Sequence, residues 1–407
     1  MSINLLQEYT RIAKYAKYLP EKNRRETWKE QVSRVFDMHR KKFHDKEEVL
    51  FLIEEAESAV YKKDVLGSQR ILQFGGDPIF KHNARVYNCG FGHINRPRAF
   101  QELMYLLLCG CGIGFSVQKH HVAKLPPIAR PGKLLAETYL VPDTIEGWAD
   151  AIGVLMSSYL GGNPEFDRYA GKTVFFDYSD IRPAGSPLSS GTKAPGPGGL
   201  KRSIEMIRSV FEQRLGHANR KSIRPIDVYD IIMHAADAVI SGGVRRSATI
   251  ALFSPDDEDM AKAKTGNWFI ENPQRGRSNN SALLVRDTTT KQQFNQLMEC
   301  VREFGEPGFV WAESTEMGFN PCVEIGLYPV DVTTGKSGWQ FCNLAEINGK
   351  RADTPEKFYS ACRQAAIIGT LQASYTNFPY LGKTTENIPR REALLGVSVT
   401  GMMDNPD

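Results

Sequence analysis

The sequence predicts an α/β fold, and three observations carry that prediction. From Ala84 onward, short runs rich in β-branched and aromatic residues alternate with longer runs of helical period. Strands alternating with helices place parallel strands in a sheet joined by crossover helices. The first 80 residues are instead helical in pattern: Trp28, Val32, Val35 and Phe36 recur at helical spacing between Arg24, Lys29 and Arg34. One stretch, 183–199, is rich in Pro, Gly and Ser and reads as a loop.

The elements follow in order. Residues 1–80 form a helical N-terminal region, and 81–407 form the α/β region. Strands are expected at 84–89, 115–118, 173–177, 248–253, 282–285, 308–312, 339–343 and 395–400. Helices are expected at 97–108, 144–160, 226–240 and 354–375. The loop 183–199 is either a linker between domains or a long loop over the main one. The cluster Arg40-Lys41-Lys42 reads as a solvated helix face, because acidic residues follow at once.

Bulk properties exclude several classes. Hydrophobic residues make up 41% and charged residues 24%, ordinary for a globular chain with a large core. The net charge of +4 is too small to argue for nucleic acid or an anionic membrane as partner. The longest apolar stretch, 104–117, is shorter than the ~20 residues of a membrane span and is broken by glycines. The N-terminus lacks a signal-peptide pattern, so the expected location is the cytoplasm. Seven cysteines, an odd number, do not suggest a disulfide scaffold; functional thiols here are catalytic, redox-active or metal-binding.

The sharpest local feature is Asn320-Pro321-Cys322-Val323-Glu324. Pro321 disfavours helix before it, so the segment is extended or looped. Residues two apart in an extended segment point the same way, which puts Cys322 and Glu324 on one side with Asn320 nearby. A carboxylate beside a thiol raises the thiol pKa and disfavours an ordinary thiolate nucleophile. The pairing suits a sulfur that reacts as a radical beside a carboxylate base. Taken alone, the segment also reads as a buried cysteine in a loop. Cys89 and Cys342 fall on expected strands, and each alone reads as inert core, as do Cys300 and Cys362.

Cys109 and Cys111 lack a second ligand pair at zinc spacing, and no metal site is expected. The glycines around them allow a phosphate-approach loop, although the run precedes a strand, whereas the dinucleotide fingerprint follows one. His120-His121 shows no ligand partner in the sequence and reads as surface. Ser241-Gly242-Gly243-Val244-Arg245-Arg246-Ser247 offers a sharp turn with two planar cations suited to phosphate. It equally fits a glycine-capped helix end.

These pieces occur together, in order, in one family. The matching stretches are Arg24-Arg25-Glu26-Thr27-Trp28, Asn88-Cys89, Gly112-Ile113-Gly114-Phe115-Ser116-Val117 and Pro142-Asp143-Thr144-Ile145-Glu146-Gly147-Trp148. They continue with Ser179-Asp180-Ile181-Arg182-Pro183, Gly243-Val244-Arg245-Arg246-Ser247-Ala248 and Asn279-Asn280-Ser281. Gly305-Glu306-Pro307-Gly308, Asn320-Pro321-Cys322-Val323-Glu324-Ile325 and Cys342-Asn343-Leu344 complete the set. The chain resembles the catalytic subunit of ribonucleotide reductases, most closely the adenosylcobalamin-dependent (class II), monomeric ribonucleoside-triphosphate reductases, over their N-terminal portion.

The resemblance implies a ten-stranded α/β barrel of two five-stranded parallel halves, incomplete at the C-terminus, with the radical cysteine on a central loop. It implies reduction of ribonucleotides to 2′-deoxyribonucleotides by a thiyl-radical mechanism. Cys322 would abstract the ribose 3′-hydrogen, Glu324 would take the 3′-hydroxyl proton, and Asn320 would bind the ribose. Cys89 and Cys342 would be the thiol pair that reduces the 2′-carbon and ends as a disulfide. Asn88, Gly112 and Gly114 would line the substrate site. The segment Gly242, Gly243, Arg245, Arg246, Ser247 would report the identity of a bound deoxynucleoside triphosphate effector, and 119–225 would be the insertion that holds it. Adenosylcobalamin is the implied cofactor, and thioredoxin or a similar dithiol protein the implied reductant.

Two departures stand out. The family's usual glycine after the radical cysteine is Val323 here. The sequence also lacks the family's later strands, phosphate-binding loop and C-terminal cysteine pair, so a C-terminal complementing polypeptide is expected. Two other readings are kept: a large subunit served by a ferritin-like radical-generating protein, and a non-catalytic nucleotide-binding fragment.

Overall fold

A computed structural model of the chain describes residues 3–187, 193–216, 221–241 and 248–404. They form two compact units, one from Met1–Asn88 with Phe341–Asp407 and the other from Cys89–Leu188 with Thr192–Gln340.

In the first unit, the Arg24–Trp28 motif builds structure. Thr27 caps the helix Trp28–Lys42: its hydroxyl accepts from the Glu30 N–H at 3.3 Å, and the Glu30 carboxylate accepts from the Thr27 N–H at 2.8 Å. That start directs Val32, Val35 and Phe36 into the core. Glu26 is buried and accepts two hydrogen bonds from Arg34, at 2.6 and 2.8 Å. Arg34 also donates to the carbonyls of Leu72 and Gly75, so this buried charge pair is fully engaged.

The same unit holds a three-stranded sheet. Leu344–Asn348 runs parallel to Gly396–Thr400 and antiparallel to Val65–Gly67. The stretch 395–400, expected as a buried strand, is instead an open edge: Leu395 and Val397 are each 43% exposed. Among the described residues it pairs on one side only.

The second unit is organised by five parallel strands in sequence order: Cys89–His93, Gly112–Ser116, Thr249–Phe253, Ser278–Val285 and Gly308–Ala312. Trp339–Cys342 follows Cys89–His93 at the other end of the sheet order. The first three strands are buried throughout, as parallel strands covered on both faces must be. The helix Arg98–Cys109 returns the chain between the first two strands and ends at Gly110, whose φ of +93° a side chain would resist. That glycine caps a helix, and Cys109 and Cys111 are buried beside it in sequence.

Several expectations need correction. Residues 84–89 are not a strand; Asn83–Val86 is a tight 3₁₀ turn, and the strand begins at Cys89. Gly90 and Gly92 disguise it, because glycine is a poor strand former by propensity. The strand Gly132–Leu140, paired in parallel with Lys172–Asp177, is a further element that the sequence reading did not place. No sheet among the described residues closes on itself, so the chain shows an α/β fold and not a closed ten-stranded barrel; the expected barrel was one incomplete at the C-terminus.

Candidate functional site

The site grows from a small hairpin in the second unit. Gly318–Phe319 pairs antiparallel with Gly326–Leu327, and 320–325 forms the loop between them. The hairpin lies directly on the sheet. A Cβ added to Gly114 would meet the Phe319 carbonyl oxygen at 1.9 Å, and one added to Gly318 would meet the Phe91 ring at 1.9 Å. Real side chains cannot approach that closely, so both positions require glycine. Gly114, expected to line a substrate site, seats the loop. Gly112 stands opposite Cys89 in the parallel register.

The loop is closed at its base. The Asn320 N–H donates to the Ile325 carbonyl at 3.3 Å, and the Ile325 N–H donates to Asn320 Oδ1 at 3.1 Å. The Val323 N–H donates back to the Asn320 carbonyl at 2.9 Å. Asn320 is fully buried, yet its Nδ2 finds no hydrogen-bond partner among the described residues. A buried amide donor left unpaired is costly, and such a group is expected to have a use.

Cys322 and Glu324 are both exposed on the loop. Cys322 is thus not a buried structural cysteine. Val323 between them has φ of +69°, the left-handed region that a β-branched residue resists. The valine is held there against its preference.

The remaining expected residues lie elsewhere. Cys89 opens its strand and is buried; Cys342 ends its strand and is buried in the other compact unit. Asn88 belongs to that first unit and accepts from the Ser68 hydroxyl. Asn343 there donates to the Gly369 carbonyl at 2.6 Å, so the Cys342-Asn343 motif also anchors the helix Pro355–Ala373. Gly242, Gly243, Arg245, Arg246 and Ser247 lie outside the described residues.

The 119–225 segment contains a cavity of about 430 Å³, lined in part by Arg130, Tyr159, Thr173, Arg208 and Glu212. Tyr159 stacks on Phe211 with ring centroids 4.4 Å apart. Arg208 Nε is buried and unpartnered among the described residues.

The sequence reading of His120-His121 as surface is corrected for His121, while the His120 side chain is 39% exposed. His121 is fully buried, because the chain turns after Gln118 into the short helix Lys119–Val122. It meets His93 and Glu316, residues too distant in sequence for spacing to reveal.

No family model matches the chain. It is similar to the adenosylcobalamin-dependent ribonucleoside-triphosphate reductase of Lactobacillus helveticus, 26% identical, with 96% of this chain and 60% of that protein covered. The enzyme of the same name from Lactobacillus acidophilus is 27% identical with the same coverage. A probable enzyme of this kind from Dictyostelium discoideum is 24% identical over 78% of this chain and 43% of its own length. The crystal structure of a B12-dependent (class II) ribonucleotide reductase superposes with a TM-score of 0.76 at 22% identity, covering 97% of this chain and 62% of that one. The resemblance read from the ordered motifs is therefore borne out, and the chain has the fold of the matching part of that structure. It spans about 60% of the length of the bacterial relatives.

Proposed function

We propose that this chain is the N-terminal portion of an adenosylcobalamin-dependent ribonucleotide reductase, with Cys322 as the hydrogen-abstracting thiol. The observation that carries the proposal is the loop 320–325: a tightly closed turn holding a thiol and a carboxylate in the open beside a buried asparagine with an unspent donor. The ordered motifs and the similarity to reductases of that name support the same reading.

The roles follow from the chemistry of each group. Cys322, as a thiyl radical, takes the 3′-hydrogen of the ribose. Glu324, two residues on, accepts the 3′-hydroxyl proton as general base. Asn320 Nδ2, with no other partner among the described residues, donates to a ribose oxygen. The closed loop base fixes these groups before substrate arrives, which lowers the ordering cost at the reactive step. Cys89 and Cys342 together supply the two electrons that reduce the 2′-carbon and finish as a disulfide, which a dithiol protein of the thioredoxin kind would reduce again.

Adenosylcobalamin fits the exposure of Cys322. A thiol that must be converted to a radical by an outside group has to be reachable, and this one is. When bound, that cofactor would supply the radical equivalent. Allosteric control by a deoxynucleoside triphosphate fits the arginine-lined cavity of the 119–225 segment, with 242–247 reporting to the substrate site. The open edge at Gly396–Thr400 offers unpaired backbone groups to another strand.

The test is an assay for deoxynucleotide formation with ribonucleotides and a dithiol reductant. Turnover is expected with adenosylcobalamin once the complementing segment is present, and not from the chain alone. Turnover that needs a ferritin-like radical protein and ignores adenosylcobalamin would overturn the cofactor assignment.

A further inference from the structure

We infer that His93, His121 and Glu316 form a binding site for one divalent transition-metal ion, best suited to zinc, that ties the base of the Cys322 hairpin to the sheet. One ligand atom from each residue lies within 4.8 Å of the other two. His93 Nδ1 is 3.8 Å and His121 Nε2 is 3.3 Å from Glu316 Oε2. Tetrahedral zinc with bonds of about 2.0–2.1 Å holds its ligand atoms roughly 3.4 Å apart. The His121–Glu316 separation already matches that spacing, and the His93–Glu316 separation exceeds it by about 0.4 Å.

Hydrogen bonds around the cluster hold its rings and carboxylate in place. His93 Nε2 faces the Glu316 backbone carbonyl at 3.0 Å. A carbonyl only accepts, so Nε2 carries the proton, and Nδ1 is left with a lone pair directed toward Ser337 Oγ and the Glu316 carboxylate. The Ser337 hydroxyl, 3.0 Å away, is able to donate to that lone pair. His121 Nδ1 meets Ser116 Oγ at 2.8 Å, and that oxygen also accepts from the Gln118 backbone N–H and Nε2, so the contact fixes the ring's orientation. His120 Nε2 lies 2.9 Å from the other Glu316 oxygen and fixes the carboxylate's rotation.

Both inner rings are buried, 1% and 0% exposed, and stack with centroids 3.8 Å apart. Glu316 is 35% exposed, which leaves a path for the ion and a place for a water as fourth ligand. Two imidazoles and one carboxylate suit zinc, iron(II) or cobalt(II) and disfavour magnesium and calcium.

The three ligands come from three segments. His93 ends the Cys89 strand, His121 follows the Gly112 strand, and Glu316 precedes the hairpin strand Gly318–Phe319. An ion here would set the angle at which the hairpin leaves the sheet, independently of whether the loop performs the chemistry proposed above.

The experiment uses the full chain stripped with a chelator, then titrated calorimetrically with Zn²⁺ and followed by visible absorption with Co²⁺. One ion per chain is expected, with Co²⁺ ligand-field bands and no sulfur charge-transfer band. Zinc should raise the melting temperature of the unaltered chain, and magnesium should not. Glu316→Gln and His121→Gln should each weaken zinc binding at least tenfold. Lack of saturable binding to the unaltered chain would overturn the inference without any variant. So would a sulfur charge-transfer band, or unchanged affinity in both variants, because either places the ion on other residues.

Discussion

Asn320 and Ile325 lock each other across the base of the Cys322 loop, with the Ile325 N–H on Asn320 Oδ1 at 3.1 Å and the Asn320 N–H on the Ile325 carbonyl at 3.3 Å. Asn320→Ala keeps the second bond and removes the first, leaving a half-buried N–H unpaired. The expected loss is about 1–3 kcal/mol, read as a lower urea midpoint. Turnover in the complemented enzyme should fall further than this loss explains, because the donor to ribose goes too. Wild-type stability in this variant would show that the loop is held by something else.

Val323 sits at φ of +69°. Left-handed backbone costs an L-residue roughly 1–2 kcal/mol, and glycine's extra unfolded freedom costs about 0.5–1 kcal/mol. Val323→Gly should therefore raise stability by no more than about 1.5 kcal/mol on these terms. Val323→Pro, with φ locked near −65°, should disrupt the loop and abolish turnover. Thermal denaturation and the deoxynucleotide assay separate the two. A glycine variant as damaged as the proline variant would mean that the valine side chain, not the backbone, shapes the loop.

How much of this was legible in the sequence depended on where each constraint acts. Most of the parallel strands and their helices showed through because burial demands runs of apolar residues at the right period, as in 248–253, where the strand Thr249–Phe253 is buried throughout. The Cys89 strand was blurred because Gly90 and Gly92 carry no strand signal; Gly92 is small because the Trp339 ring lies on it. Asn320-Pro321-Cys322-Val323-Glu324 announced itself by residue type, but not the positive φ of Val323 or the orphan donor of Asn320, which only the folded loop creates. The His93, His121 and Glu316 cluster was invisible, since its members come from three segments and no local spacing joins them.

Burial holds the His39 imidazole down at about 3, and nearby Lys42 adds to the effect. Its Nδ1 lies 3.2 Å from the Tyr375 hydroxyl, which donates to it while the ring is neutral. In the unfolded chain the ring takes a proton below about 6.5. The unfolded state therefore binds the extra proton between those values, and the stability this neutral ring permits is lost as pH falls from about 6.5 toward 3. His39→Gln keeps an acceptor and cannot titrate. Urea midpoints at pH 7.5 and pH 5 should drop less in the variant than in the parent; equal drops would remove His39 from the acid response.

Arg245 and Arg246 belong to the segment proposed to report the bound effector. Substituting either with Ala should alter which ribonucleotide is preferred under a given deoxynucleoside triphosphate, with little change in melting temperature. Competition among the four substrates measures this. The same preference pattern in both variants would separate these arginines from effector communication.

The central claim is that Cys322 carries the hydrogen abstraction, and Cys322→Ser in the complemented enzyme tests it most directly. Serine fills similar space, but its O–H bond is too strong to serve as a comparable radical carrier. Deoxynucleotide formation is measured with adenosylcobalamin and a dithiol reductant, and ribonucleotide binding is measured on the same preparation by equilibrium dialysis. The account predicts loss of turnover with binding nearly intact; substantial turnover by the serine enzyme would contradict it.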